Sequence, residues 1–206
     1  MRGQQSEIYR KKPRQSRSTD TVGTILDATA QVFHVEGDDA FNTNRIAERA
    51  GISIGSLYQY FPNKLAILRA YVERERDRTQ QRLHEVIAGS DHDDLEGMLR
   101  EIITIMTGVF GGRPRLHSLL IRRLWSDEAL LRTQITADHV AGLLESEINR
   151  GRFRGVGPVS SLRMFVLVRS LLNTVRAVAV DHTANRFKTP DLQAELLELA
   201  LAYLKA

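Results

Sequence analysis

The sequence predicts an all-α protein of about nine helices. Three observations carry this. Apolar residues recur at helical intervals along almost the whole 206-residue chain, sustained apolar–polar alternation of the strand kind is missing, and Gly, Pro and Asn fall between the periodic runs. With 42% apolar residues the chain is long enough to bury a substantial core. It has no cysteine, which excludes disulfides, thiolate metal sites and cysteine nucleophiles. No apolar run approaches the ~20 residues that span a bilayer, and the polar start MRGQQSEIYRKK lacks the apolar stretch of a signal peptide, so a cytoplasmic protein is expected.

Charge is distributed unevenly. Arg2, Arg10, Lys11, Lys12, Arg14 and Arg17 stand against Glu7 in residues 1–19, a net of +5, which leaves −1 for the rest of a chain totalling +4. A basic, flexible arm gains counterion-release entropy on a polyanion, so nucleic acid is the first candidate partner and an anionic membrane the second; a solvated leader is the plainer reading.

Taken in order, Ser18 or Thr19 can cap a first helix on which Val22, Ile25, Leu26, Ala30 and Phe33 share spacing until Gly37. Asn42 is a good cap for a short second helix from Thr43, with Ile46, Ala47 and Ala50 on one face and Gly51 ending it. Ser53 caps a third segment to about Phe61, and Pro62-Asn63 breaks the run before a fourth helix with Lys64 in its first turn. Two short helices joined at a glycine turn make a helix-turn-helix.

The fourth helix is apolar at Leu65, Ile67, Leu68, Tyr71 and Val72, charged through ERERDRTQQR, and apolar again at Leu83, Val86 and Ile87, as a bridge between two parts of a molecule would be. Further helices are expected from about Asp93 to Phe110, through Leu116 to Trp125, and from about Asp127 to Arg150. GRFRGVGP is a loop, and two broadly apolar helices, about Val159 to Asp181 and Asp191 to Leu204, close the chain. Apolar residues on most sides call for burial on more than one surface, for which an oligomer interface is one provision.

The chemistry concentrates in SIGSLYQYFPNK, residues 53–64. At ~100° per residue, Leu57 and Phe61 share the face that anchors the segment, Gly55 and Gln59 lie opposite with Ser56 close by, and Tyr58 and Tyr60 flank them. A major-groove helix needs small or amide side chains toward the base edges and hydroxyl-bearing groups toward the phosphates on either side. Lys64 and the helix start beside it, and Thr43 at the start of the second helix, supply further groups for the same backbone. The tyrosine pair alone reads more simply as core or rim; the ordered set of capped helix, glycine turn, second capped helix and basic restart reverses that preference.

TNRIAERAGISIGSLYQYFPNKLAIL, preceded by ILDATAQVFHVEG, resembles the DNA-binding segment of TetR-family transcriptional regulators over about residues 22–68. Beside the basic flexible arm that charge marks at residues 1–19, the resemblance implies an N-terminal three-helix helix-turn-helix DNA-binding domain, residues 20–65, and a larger helical domain, 66–206, that dimerises and binds a small effector. By position it implies phosphate contacts from Thr43, Tyr58, Tyr60 and Lys64, and places Asn44, Ile54, Gly55, Ser56 and Gln59 near bases, although the helical wheel sets Ile54 nearer the core side. The chain departs from the family pattern at Thr29, where alanine is usual, at Asp38, where an aromatic is common, and at Asn42, where a threonine often caps.

The remainder is less specific. Arg169, Asn173 and Arg176 form a stripe on MFVLVRSLLNTVRAVAV that could face an anionic ligand, an acid of another helix or a second copy, with pairing inside the fold or at an interface preferred. Together with Met106, Phe110 and Trp125, and with Ile102 and Val109 nearby, it makes an apolar effector with an anionic group the candidate ligand. Asp91, His92, Asp93 and Asp94 read as helix capping rather than metal ligation, and Asp138-His139 as a surface pair. No metal, cofactor or catalytic constellation is expected. The function expected is a homodimeric repressor released from a palindromic operator in double-stranded DNA by a small molecule; the alternatives are a helical small-molecule-binding protein or enzyme without sequence-specific DNA binding, and a membrane-surface protein using the basic arm.

Overall fold

The computed structural model describes residues 16–36, 41–89, 94–111, 127–180 and 187–205. These contain eight helices and no strand: α1 Ser16–Glu36, α2 Thr43–Arg49, α3 Ile54–Tyr60, α4 Lys64–Gly89, α5 Leu95–Gly111, α6 Asp127–Asn149, α7 Ser161–Val180 and α8 Thr189–Lys205. The expected helix through Leu116 to Trp125, the Gly37 stop, Asp38 and the basic arm up to Gln15 lie outside the described residues, as do the side chains of Phe33, Val109 and Phe110.

The chain divides near Arg76 and Asp77 into two compact units. In the first, local signals set both ends of α2 and α3 and the start of α4. Asn42 Oδ1 accepts the Arg45 N–H at 2.9 Å and starts α2. Gly51 follows in the left-handed region at φ 66°, its N–H donating to Glu48 O, while Ile52 N–H donates to Ala47 O at 3.0 Å. Ser53 Oγ accepts the Ser56 N–H at 3.0 Å to start α3. Pro62 ends the run, and Asn63 Oδ1 accepts the Ala66 N–H at 2.9 Å, so Asn63 is both breaker and cap for α4. Ile25, Ile46, Leu57, Phe61 and Ile67 are fully buried and form the centre of this core, with α1 packed on α2 and α2 on α3. Thr29, one of the departures from the family pattern, is also fully buried; its hydroxyl donates to Ile25 O at 2.8 Å, which satisfies the group where alanine would have none.

In the second unit α6 packs on α7, α8 on α5, and α5 and α8 on α7, around Met98, Leu99, Ile103, Met164, Leu167 and Ala200. Leu83, Val86 and Ile87 of α4 join this core, so the two apolar ends of α4 serve different units, as its sequence anticipated. The turn after α6 uses positive φ at Gly151 and Gly155. Asn149 closes that turn by exchanging two hydrogen bonds with the Val159 backbone, and Arg152 ties it to α4 by donating to Ile87 O at 2.9 Å. A part-buried polar contact joins α8 to α5: Gln193 Nε2 donates to Thr107 Oγ1 at 2.7 Å, and Thr107 in turn donates to Ile103 O.

Candidate nucleic-acid interface

The candidate interface is assembled from three short stretches that folding brings together. Leu57 and Phe61, both fully buried, clamp α3 against the first unit's core. Since they occupy one side of a two-turn helix, the opposite side faces out by geometry: Gly55 and Gln59 are exposed, with Tyr58 at 39% on one flank and the half-buried Tyr60 on the other. The tyrosines are thus rim residues with an apolar body against the protein and a hydroxyl beyond it.

The hydroxyls of Thr43 and Tyr58 lie 3.1 Å apart in a hydrogen bond that joins the start of α2 to the flank of α3. Two groups singled out independently as phosphate-facing are therefore one polar surface. Asn44, next on α2, is exposed beside them. Lys64, at the start of α4, is exposed while its ammonium sits 4.5 Å over the Phe41 ring, which orients the cation at the edge of the domain.

Two positions need correction or refinement. Ile54, set nearer the core by the helical wheel, is 38% exposed. It is the first residue of α3, ahead of the turn on which Leu57 and Phe61 bury, so no neighbouring helix covers it. Ser56 is partly buried and its hydroxyl shares a 2.8 Å hydrogen bond with Ser53 Oγ, which draws it into the helix cap as well as toward the outer face.

Gly55 is informative because nothing in the protein requires a glycine there. It lies within α3 without positive φ, and a Cβ built on it meets only Ser53 Oγ, at an ordinary 3.8 Å. The vacancy faces outward.

Sequence reasoning missed Arg45 and Arg74. Arg45 is exposed on α2 and pairs with Glu48 at 2.8 Å; charge next to a cap is too common a pattern to have marked it. Arg74 bonds residues of α1 some fifty positions away, for which no local signal exists.

In the second unit the stripe on α7 resolves into distinct environments. Arg169 Nη2 pairs with Asp138 of α6 at 2.7 Å and its guanidinium lies 5.2 Å from the Phe165 ring centre, so it has an acid of another helix as partner. Asp138 accordingly belongs to this interhelix pair, while His139 stacks with His84 of α4, ring centres 6.2 Å apart. Asn173 is exposed and donates to Arg169 O of its own helix. Arg176 is half-buried, and desolvation holds its guanidinium below the ordinary arginine range. Met106 packs partly buried against the core, and Trp125 lies outside the described residues. A groove of about 430 Å³ runs between α5 and α8, with Arg100, Leu197, Leu201 and Lys205 among its walls; none of the candidate ligand residues lines it. Asp94 caps α5, its carboxylate accepting the Glu96 and Gly97 N–H groups at 3.0 Å, and among the described residues no three metal-ligating side chains come together.

Comparison with known proteins places this geometry. Residues 25–71 match the model of the bacterial regulatory proteins of the tetR family. The chain is 28% identical over 133 residues to the transcriptional repressor KstR of Mycolicibacterium smegmatis, covering 64% of this chain and 62% of that one. It is also 28% identical over 99 residues to the transcriptional regulator UidR of Escherichia coli, 48% of this chain and 50% of that one. The chain thus spans less than two thirds of the length of these relatives. Its fold is that of a Mesorhizobium loti protein assigned to the TetR-family regulators (TM-score 0.70, 20% identity, 92% and 98% of the two chains) and of the Bacillus subtilis regulator FadR solved with stearoyl-CoA (TM-score 0.59, 19% identity, 88% and 98%).

Proposed function

We propose that the chain is a TetR-family regulator, a dimeric transcriptional repressor whose α3 reads a palindromic operator and whose second unit binds a releasing small molecule, a reading supported by the match of residues 25–71 to the family model. The observation that carries the reading is the outer side of α3. Gly55 and Gln59 face outward, with the hydrogen-bonded Tyr58–Thr43 pair on one flank and Tyr60 on the other. In a major groove Gln59 would offer an amide to base edges, Gly55 would let the backbone approach, and Thr43, Tyr58, Tyr60 and Lys64 would meet phosphates, with Asn44, Ile54 and Ser56 close to the bases. The reading takes residues 20–65 as the DNA-binding domain, 66–206 as the effector and dimerisation domain, and the basic residues 1–19 as an arm.

Two copies would set two α3 helices in successive major grooves about 34 Å apart. Support for a second copy comes from α7, where Leu162 (71%), Phe165 (50%) and Val166 stand exposed at i, i+3 and i+4, and from Leu199, exposed on α8. The effector proposed is an amphiphile with an anionic group, the chemistry of the stearoyl-CoA bound by FadR, and Arg176 on α7 is the cation proposed to meet it. Release requires that effector and DNA favour different arrangements of α4. No helix among the described residues is long and apolar enough to cross a membrane, and the operator would locate the protein in the cytoplasm.

Selection from random duplexes tests the reading: the expected outcome is a shared inverted repeat. Weak, salt-sensitive binding with no common sequence would leave the alternative, a helical small-molecule-binding protein or enzyme.

A further inference from the structure

Lys64 stands where local electrostatics disfavours a cation. It is the first residue of α4, at the positive end of that helix, and the first turn carries no acidic residue to offset it. The residue is exposed, and an ammonium on a flexible four-carbon stem loses rotamer freedom when held in one place. Yet the ammonium is placed. It sits 4.5 Å from the centre of the Phe41 ring, over the face whose negative quadrupole supplies what the helix start lacks.

The platform under it is itself fixed. Phe41 is only 2% exposed, and its neighbour Asn42 is held as the cap of α2 by accepting the Arg45 N–H. Thr43 comes next, and its hydroxyl shares the 3.1 Å hydrogen bond with Tyr58. Residues 41–43 thus tie together the start of α2, the flank of α3 and the ammonium at the start of α4. A ring occupies one side of an ammonium and leaves N–H donors on the other side for an anion.

We propose that Phe41 is a positioning residue, holding the Lys64 ammonium in register with the Thr43–Tyr58 pair so that DNA phosphates meet a lysine already ordered. Ordering a rotamer-rich side chain in the free protein removes that cost from the binding step. Because it acts through a phosphate contact, position 41 sets affinity and leaves base preference alone. The consequence for DNA rests on the reader function proposed above; the contact between Phe41 and Lys64 does not.

Changing the ring while keeping the cation separates this role from plain core packing. Phe41→Leu, apolar but without a π face, should weaken binding to all duplexes alike by about twofold to tenfold, and should have no further effect in a Lys64→Gln background. Stepwise fluorination of the Phe41 ring keeps its shape and drains its face, so affinity should fall with each added fluorine; this arm decides the matter if Phe41→Leu fails to fold. In the DNA-free protein, NMR should find the Lys64 ε-methylene protons shifted upfield by the ring, and the shift lost in Phe41→Leu. Equal losses of affinity in the wild-type and Lys64→Gln backgrounds, indifference to fluorination, tighter binding by Phe41→Leu, or no upfield shift would overturn the proposal. A wild-type protein that selects no duplex would defeat the reader function and this consequence with it, whereas one that selects a duplex and gives any of those results would overturn the role of Phe41 alone.

Discussion

The α1–α3 unit and the α5–α8 bundle are made of similar helical material, but polar groups have different work in each. In the first unit they sit at helix ends and on one outward side: Asn42, Ser53 and Asn63 stop and start the chain, and Tyr58, Gln59 and Thr43 face away from the protein. The first unit also pairs polar groups across helices, Thr43 with Tyr58 on its outer side, whereas in the second the cross-helix pairs, Arg169 with Asp138 and Gln193 with Thr107, tie the helices of the bundle together. On the function proposed above, the outward side of the first unit keeps such groups for an external partner, whereas the bundle pairs them internally.

Breaking the anchor of the reading face should have the largest effect. Leu57→Ala removes a fully buried side chain from a small core and is expected to cost about 2–5 kcal/mol, seen in denaturant unfolding, with loss of DNA binding through loss of structure. The comparison sharpens if Met164→Ala, equally buried in the bundle, destabilises the second unit and leaves the stability of the first unchanged. Next in size, Gln59→Ala should lose about 1–3 kcal/mol of discrimination at one base position, whereas Tyr58→Phe should weaken all duplexes alike; binding to a panel of single-base operator variants separates the two, and the reverse pattern would refute the division between reading and positioning.

Gly55→Ala should move two measurements in opposite directions. The space for the methyl group and the helical backbone predict stabilisation of the free protein by about 0.5–1 kcal/mol in thermal melts, together with weaker operator binding as the methyl meets the groove. A variant that is more stable and binds as well would show that this glycine serves no external surface. The smallest effect belongs to the bundle: Asp138→Asn should cost about 0.2–1 kcal/mol, since the carboxylate is largely solvated, and should leave effector-induced release intact if Arg169 is chiefly a structural partner.

The legibility of the two regions in the sequence follows the same divide. Caps, breaker and turn lie within three or four residues of the groups they serve, so Asn42, Gly51, Ser53 and Pro62 announced α2, α3 and the start of α4. Helical periodicity likewise identified Leu57 and Phe61 as anchors, and hence the outward side of α3. It misplaced Ile54 because a wheel assigns every position on a helix a neighbour, and a first-turn residue has none. The Arg169 stripe was visible as a pattern, but its three readings could not be separated from α7 alone, since the deciding group, Asp138, comes from α6.

What the sequence alone determined about this protein is therefore what short-range physics controls: helical class, helix ends, the anchored and outward sides of the reading helix, and the split of α4 into two apolar ends. Tertiary structure decided which polar groups meet across helices: Thr43 with Tyr58, Arg169 with Asp138, Gln193 with Thr107 and Arg74 with Gly23 and Asp27. The reason is that a cap or a periodic face is satisfied within one or two turns of chain, whereas an interhelix hydrogen bond depends on the rotation and register of both helices, which only their packed cores set.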